Sequence, residues 1–570
     1  MFPLTIKTKT IIMDNKKIQI HCVNTGSVME FERGVTLSEI VKNVDADKGH
    51  PFVGALVNNR VEELNYAVYK PKVVEFFDVR SVNGKRMYSR SLTFILARAV
   101  HDVAEGVNVT IEHSISKGLY CELRSVSGEY TKPTDELVQR IKARMKEIVA
   151  ADYTFGRREI LSSDAAKLFA ERGQKDTAKM FEKRDRLFSS IYSLDGYDDY
   201  YSSFMVPSTG YVSVFDLIPF YDGMLLRYPT DYEKMEIGEL EMQPKLFDIF
   251  REHKSWVKLL DISTVASLNS LVENKRAGDL IKVGEALHEK KIAQIADKIA
   301  QAGNIKLVLI AGPSSSGKTT TSMRLCVQLS VAGLKPVQIS LDNYFVDRVN
   351  TPRNEKGDYD FEALEAVDYK KFNQDMLNLM DGKRVEMPFY NFHTGKREYR
   401  GEFMTADEDT VFVVEGIHGL NPAMSAMIPA DRKFKIYVSA LTQIGIDAHN
   451  RIPTTYNRLL RRIIRDYQYR GYSAEETIKR WPDVRLGEEK NIFPFQEEAD
   501  VMFNSALPFE LGVIKKYAGP ILENVTERTP EYSEARMLLK FLAYFKEFPD
   551  DEIPPTSILR EFLSGSSFKY

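Results

Sequence analysis

The sequence predicts a multidomain protein in which α+β units precede a doubly wound α/β domain. Three observations carry this. The chain has 570 residues, too many for one hydrophobic core. After Gly303, short apolar runs alternate with helical segments, the pattern of parallel strands joined by crossover helices. Between the first run and its helix lies a glycine-rich loop with the spacing of a phosphate cradle.

Residues 1–82 read as a small β-rich unit. Ile18 to Val23 alternates as a strand, Gly34 marks a turn, Thr36 opens a short helix, and Val73 to Phe77 returns as a strand. Residues 83–238 are mixed. Helical patterns at 92–103, 134–149 and 163–172 accompany strand-like pieces at 107–112 and 120–124. Residues 239–302 are helical and charged, a connector or platform. Residues 303–510 hold four runs suited to buried parallel strands, at 305–311, 337–341, 411–414 and 434–438. Residues 511–570 are mainly helical.

Composition narrows the function classes. Hydrophobic residues make up 43% and charged residues 28%, an ordinary globular balance. Seventy-eight Lys and Arg against 81 Asp and Glu leave a net charge of −3, without the basic excess of a dedicated nucleic-acid binder. Three scattered cysteines, Cys22, Cys121 and Cys326, imply no disulfide framework. The opening MFPLTIKTKTIIMDNKK lacks the apolar stretch of a secretory signal, and no run approaches the roughly 20 apolar residues of a membrane span. The expectation is a cytoplasmic protein with no membrane partner.

The strongest motif is Gly312-Pro313-Ser314-Ser315-Ser316-Gly317-Lys318-Thr319, a full G-x-x-x-x-G-K-[ST], followed by Thr320 and a helix that ends near Gly333. Its backbone N–H groups and the helix N-terminus suit phosphates, Lys318 reaches the β- and γ-phosphates, and the Thr319 hydroxyl can ligate Mg²⁺. ATP or GTP binding follows. The guanine-reading N-K-x-D is absent, since Asn274-Lys275-Arg276-Ala277 lacks the acid and precedes the loop.

Two acids stand at strand ends, where ligands of such folds sit. Asp342 is the candidate base for a hydroxyl proton, and Glu415 the candidate metal-side acid. Arg458, Arg461, Arg462 and Arg465 fall at i, i+3, i+4 and i+7, with Leu459, Leu460, Ile463, Ile464 and Tyr467 as the packed face. Like charges at this spacing repel, so acids or a polyanion should lie nearby. Such cations could stabilise a transferring phosphate. The stretch from Arg470-Gly471 to Trp481 could close as a lid.

At these residues the chain resembles the uridine kinase and phosphoribulokinase family, over roughly 300–510. GPSSSGKTT, SLDNYF, DYDF, PFYNF, VVEGIHG and RRIIRDYQYRG occur in the family's order. The resemblance implies ATP and Mg²⁺ as cofactors and phosphoryl transfer to the 5′-hydroxyl of a nucleoside. Another hydroxylated metabolite, such as a sugar phosphate, is the alternative. It implies Asp342, Lys318 and Arg465 as catalytic residues, and Asp360, Tyr390, Phe392, His393 and Arg462 as substrate residues. Residues 312–320 and Arg470 fall to the nucleotide. Asn391 replaces the family's acid within PFYNF, and Tyr472 stands where an arginine is common.

The front half resembles the N-terminal region of threonyl-tRNA synthetases: a β-grasp-like TGS domain over 1–82, then an editing-like domain carried by YSRSLTFILARAV and MVPSTGYVSVFDL. The editing domain's four metal-ligand positions align with Arg90, Phe94, Tyr201 and Met205, none suited to zinc. Editing chemistry is therefore expected to be lost, leaving a binding or regulatory role toward an RNA or protein partner. A nucleotide-gated RNA-binding module is the alternative from another class. His101 and His113 are read as structural, and homo-oligomerisation is left open.

Overall fold

The computed structural model describes residues 17–45, 49–184, 186–354 and 357–570. Residues 1–16 of the opening stretch lie outside the described residues.

The alternation of strand Lys17–Cys22 buries Ile18, Ile20 and Cys22 on one face. That strand and Lys72–Phe77 run parallel in the middle of a five-stranded sheet. Ser27–Glu32 flanks it on one side, and Gly54–Val57 and Arg60–Glu63 lie on the other. Thr36 caps the short helix Leu37–Ile40, donating its N–H to Glu39 at 2.8 Å. Leu37 and Ile40 pack in a core with Ile20, Val74 and Phe76.

In the next unit the helix expected at 92–103 runs further, over Val82–Val103, because Ser81 accepts from the Gly84 N–H and caps it. It packs with Asp135–Ala150 against a sheet ordered Tyr130–Thr131, Gly118–Ser125, Gly223–Arg227, Asp216–Phe220, with Val107–Ile115 also on Gly118–Ser125. A three-stranded sheet of Gly156–Leu161, Phe188–Leu194 and Tyr197–Asp199 completes this half.

The C-terminal region holds a parallel sheet ordered Lys335–Ser340, Thr410–Glu415, Leu307–Ala311, Lys433–Ser439, Val501–Asn504. Leu307–Ala311 is central and wholly buried, as a strand covered on both faces must be. On one face Ile292, Ile295 and Ile299 of helix Ala277–Ala302 meet Val308, Ile310, Leu325 and Leu329. On the other, Phe372, Met376 and Leu379 of helix Tyr369–Met380 meet Leu307 and Leu309. The fifth strand, Val501–Asn504, gives too short an apolar signal to read from sequence. The stretch around PFYNF forms an antiparallel hairpin, Val385–Asn391 with Lys396–Met404.

The helical region 239–302 does more than connect. Helix Ala277–Ala302 is part of the parallel-sheet core just described. Leu246, Phe247 and Phe250 of helix Pro244–Leu259 lie between Tyr120 and Phe220 of the front half and Tyr437, Leu441 and Met502 of the parallel sheet. His113 stacks on Phe250 at 3.8 Å, buried and held neutral by that burial. Among the described residues, no helix is long and apolar enough to cross a membrane.

Candidate active site

The loop 312–317 turns between strand Leu307–Ala311 and helix Lys318–Val331. Ser315 and Gly317 take positive φ, 58° and 83°, which aims successive N–H groups into one concavity. A Cβ on Gly312 would stand 1.9 Å from the Val438 carbonyl oxygen, so only glycine lets the loop cross strand Lys433–Ser439. Lys318 reaches the Pro313 carbonyl at 3.2 Å. Burial lowers its pKa, with Glu415, Glu561 and Asp342 opposing that shift.

The strand-end acids converge here. Asp342 sits in a tight turn just past Lys335–Ser340. Its side chain is exposed, yet the protein packed around it raises its pKa, opposed by its neighbours Lys318 and Arg470. Glu415 ends the adjacent strand. Burial, then Asp342, push its carboxyl up to about 7, while a hydrogen bond from the Thr319 side chain favours its ionised form. Lys318, Asp342, Glu415 and Thr319 thus form one cluster.

The arginine stripe divides. Arg458 and Arg461, expected on a cationic face, are fully buried. Arg458 pairs with Glu488 and donates to the Ser314 carbonyl at 3.1 Å. Arg461 pairs with Glu510 and donates to the Ser505 carbonyl at 2.9 Å. These two arginines hold the loop from behind. Arg462 donates to the Ser314 hydroxyl at 2.8 Å and lies 3.2 Å from Asp466. Arg465 also pairs with Asp466, at 3.0 Å, and is an electrostatic neighbour of Lys318. Arg470 is a neighbour of Asp342 and Arg465. The acids that relieve the repulsion are Glu488, Glu510 and Asp466. Tyr467, read as part of the packed face, is 52% exposed instead. It follows Asp466, and the apolar residues at 459, 460, 463 and 464 already fill the contact.

The stretch read as a lid is a corner between two helices. Gly471 takes the left-handed conformation that ends Thr454–Arg470, and Ser473 caps Ala474–Asn491. Glu488 of that second helix accepts the Ser314 N–H at 2.9 Å.

Among the residues the resemblance gives to substrate, Tyr390 is buried, its ring 5.4 Å from Phe345 and 5.1 Å from Phe392. Asp360 accepts the Glu362 N–H at 3.1 Å and neighbours Glu362, whose carboxyl burial pushes up to about 7. Phe392 and His393 stand exposed at the hairpin turn, and the His393 N–H is held by Asn391 at 3.1 Å. Asn391 is spent on the turn: it also donates to Glu398 at 2.9 Å and accepts the Thr394 N–H at 3.2 Å.

Sequence reasoning missed Glu561. Its carboxylate accepts from the Thr320 hydroxyl at 2.6 Å and from the Thr320 N–H at 3.3 Å. The Tyr570 hydroxyl is 3.0 Å from the same Thr320 hydroxyl. Ile558 lies 2.6 Å from where a Gly317 Cβ would be, and Arg461 stacks over Phe562 at 5.1 Å. Nothing in the sequence near position 561 signals this, because the contact spans some 240 residues.

In the front half, three of the four aligned editing positions share one core. Phe94 and Tyr201 lie 5.0 Å apart, and Met205 accepts from the Ser91 hydroxyl at 3.6 Å. Arg90 donates to the Phe204 carbonyl at 2.6 Å. Phe94, Tyr201 and Met205 are buried in one apolar core. Among the described residues, no group of three or more His, Cys, Asp or Glu could hold a metal ion.

The model of the phosphoribulokinase / uridine kinase family matches residues 307–508. The N-terminal half matches threonine–tRNA ligases. The ligase of Symbiobacterium thermophilum is 27% identical over 196 residues, 34% of this chain and 29% of the ligase. That of Clostridium kluyveri is 26% identical over 257 residues, 43% of this chain and 39% of the ligase. The chain therefore spans well under half the length of these curated relatives. Among solved structures, D-glycerate 3-kinase from Cryptococcus neoformans is 14% identical, with 46% of this chain and 89% of that chain covered and a TM-score of 0.20. A protein described as a possible uridine kinase from Bacillus stearothermophilus is 17% identical, covers 35% of this chain and 89% of its own, and has a TM-score of 0.22.

Proposed function

We propose that this chain transfers the γ-phosphoryl group of ATP to a hydroxyl of a small molecule, with the 5′-hydroxyl of a nucleoside as the leading acceptor. The observation that carries the reading is the meeting of Asp342, Lys318 and Glu415 beside a full phosphate loop inside the region that matches a kinase family.

The donor set fits the expected groups. The Thr319 hydroxyl and Glu415 carboxylate are hard oxygen ligands of the kind Mg²⁺ takes, the rest of its shell coming from water and phosphate oxygens. When bound, the cation would offset charge on the β- and γ-phosphates. The loop N–H groups and Lys318 hold the phosphates, and Lys318 and Arg465 offset charge as it spreads. Asp342, exposed beside Lys318, takes the acceptor's proton. Its raised pKa makes it a better proton acceptor than a solvated aspartate. Phe392, exposed at the hairpin turn and backed by the buried rings of Tyr390 and Phe345, offers an apolar face for a flat base, and Asp360 a carboxylate for ribose hydroxyls. This reading places the protein in the cytoplasm, where ATP and Mg²⁺ are abundant.

One observation favours a second acceptor class. The hydrogen bonds of Asn391 are satisfied within its own turn, so the position that carries an acid in the resembling family does not reach the acceptor. A sugar phosphate or other hydroxylated metabolite then competes with a nucleoside.

A panel of acceptors with ATP and Mg²⁺ tests both. ADP release that depends on a nucleoside supports the first, and release with sugar phosphates alone supports the second. ATP binding without any acceptor dependence would refute the kinase reading and leave a nucleotide-gated binding module. Asp342→Asn should cut turnover by about 10²–10⁴-fold while ATP still binds. An unchanged rate would remove Asp342 from the chemistry. For the front half we propose a binding or regulatory role toward RNA or a protein, without metal-dependent editing.

A further inference from the structure

A cavity of about 160 Å³ lies away from the phosphate loop, between helices Pro244–Leu259 and Ala277–Ala302. Trp256 and Phe503 supply aromatic walls, His253 and His288 face inward, and Lys290 and Lys291 stand along it. His288 is only 4% exposed, and the Ala506 backbone is its one polar neighbour that favours a proton, without good hydrogen-bond geometry at either ring nitrogen. Burial holds His288 neutral and pushes His253 down to about 4. Each neutral imidazole therefore presents one donor and one acceptor nitrogen. A buried imidazole left without a hydrogen bond is costly unless something else supplies one. Lys291 is taken by Glu252 at 2.8 Å, whereas Lys290 is exposed at the rim.

We infer that this cavity, distinct from the phosphate loop, takes the base of a nucleoside monophosphate whose sugar and phosphate lie out along its rim. The aromatic walls suit the faces of a heterocycle. Paired donor and acceptor nitrogens on His253 and His288 suit the mixed hydrogen-bonding edge of a base, and Lys290 suits its phosphate. The cavity floor is the segment 503–508, and it touches the catalytic end. Ser505 donates its hydroxyl to the Ser316 carbonyl and offers its own carbonyl to Arg461. Occupancy therefore bears on the loop through one short segment.

The chain has two tryptophans, Trp256 and Trp481, so in the full-length Trp481→Phe protein Trp256 alone reports the cavity. UMP, CMP and AMP are titrated against its fluorescence, with uridine and inorganic phosphate as separate arms. A saturable change is expected with at least one monophosphate below about 1 mM, weakened about tenfold or more by Lys290→Glu, a surface change, and by His288→Leu. It should persist in Lys318→Ala, whose phosphate loop is impaired, and persist whether or not the protein proves to be a kinase. Thermal melts of each variant verify folding. The inference is overturned by no saturable change up to about 5 mM, by binding that both cavity variants leave intact, by loss of the signal in Lys318→Ala, or by uridine or phosphate alone binding as tightly as the monophosphate.

Discussion

Replacing Glu561 with Gln should tighten ATP binding. The helix Lys318–Val331 begins with N–H groups that have no partner within the helix, and the reading above gives them to phosphates. Glu561 already accepts the Thr320 N–H at 3.3 Å and its hydroxyl at 2.6 Å. ATP must therefore displace a carboxylate from the seat its own anion would take. A hydrogen bond to a charged group contributes about 1.5–3 kcal/mol when shielded. Glu561 is half-buried, and solvent screening reduces this to about 1 kcal/mol, or about fivefold in affinity. Glutamine keeps the shape and one acceptor oxygen while removing the charge. Calorimetric titration with a non-hydrolysable ATP analogue, with and without Mg²⁺, reads the effect directly. In a Thr320→Ala background the gain should shrink, because the two residues are in contact and their effects are not additive. Equal or weaker binding by Glu561→Gln would refute the argument and make Glu561 a supporting residue of the nucleotide site.

Three further outcomes are expected. Glu488→Ala leaves the fully buried Arg458 without its main partner, so unfolding should become easier by about 3 kcal/mol; a thermal melt that does not move would refute the pairing. Glu415 rises from 4.5 to about 7, so between those pH values the folded protein keeps a proton that the unfolded chain has released. Its contribution to stability therefore falls as pH rises to about 7 and is level above that. Denaturant midpoints should show Glu415→Gln gaining on the wild type from pH 5 to 7, and a difference that does not vary with pH would contradict this. In the front half, purified protein with added zinc should not deacylate mischarged threonine tRNA, since Phe94, Tyr201 and Met205 fill the aligned positions; measurable hydrolysis would refute the loss of editing.

Much of the site was legible because it is local. Loop 312–319 and its helix are consecutive, and Asp342 and Glu415 directly follow apolar runs whose ends can be read from pattern alone. Hydrophobic periodicity likewise exposed four of the five parallel strands, and missed Val501–Asn504 because its apolar run is only three residues long and ends at Asn504. The arginines at 458, 461, 462 and 465 were visible as a stripe, but their division was not. Periodicity places a side chain on a helix face without saying whether that face meets water or a buried glutamate.

Taken alone, the sequence determined the glycine-rich loop between strand and helix and the acids that follow two of the parallel strands, all encoded by neighbours in the chain. Tertiary structure decided the rest: Glu488, Glu510 and Glu561 at the loop, helices Pro244–Leu259 and Ala277–Ala302 within shared cores, and the cavity between those two. Those contacts join residues tens to hundreds of positions apart. Their energies come from burial and charge pairing after the chain has collapsed, and no local pattern records which distant acid will answer a given arginine.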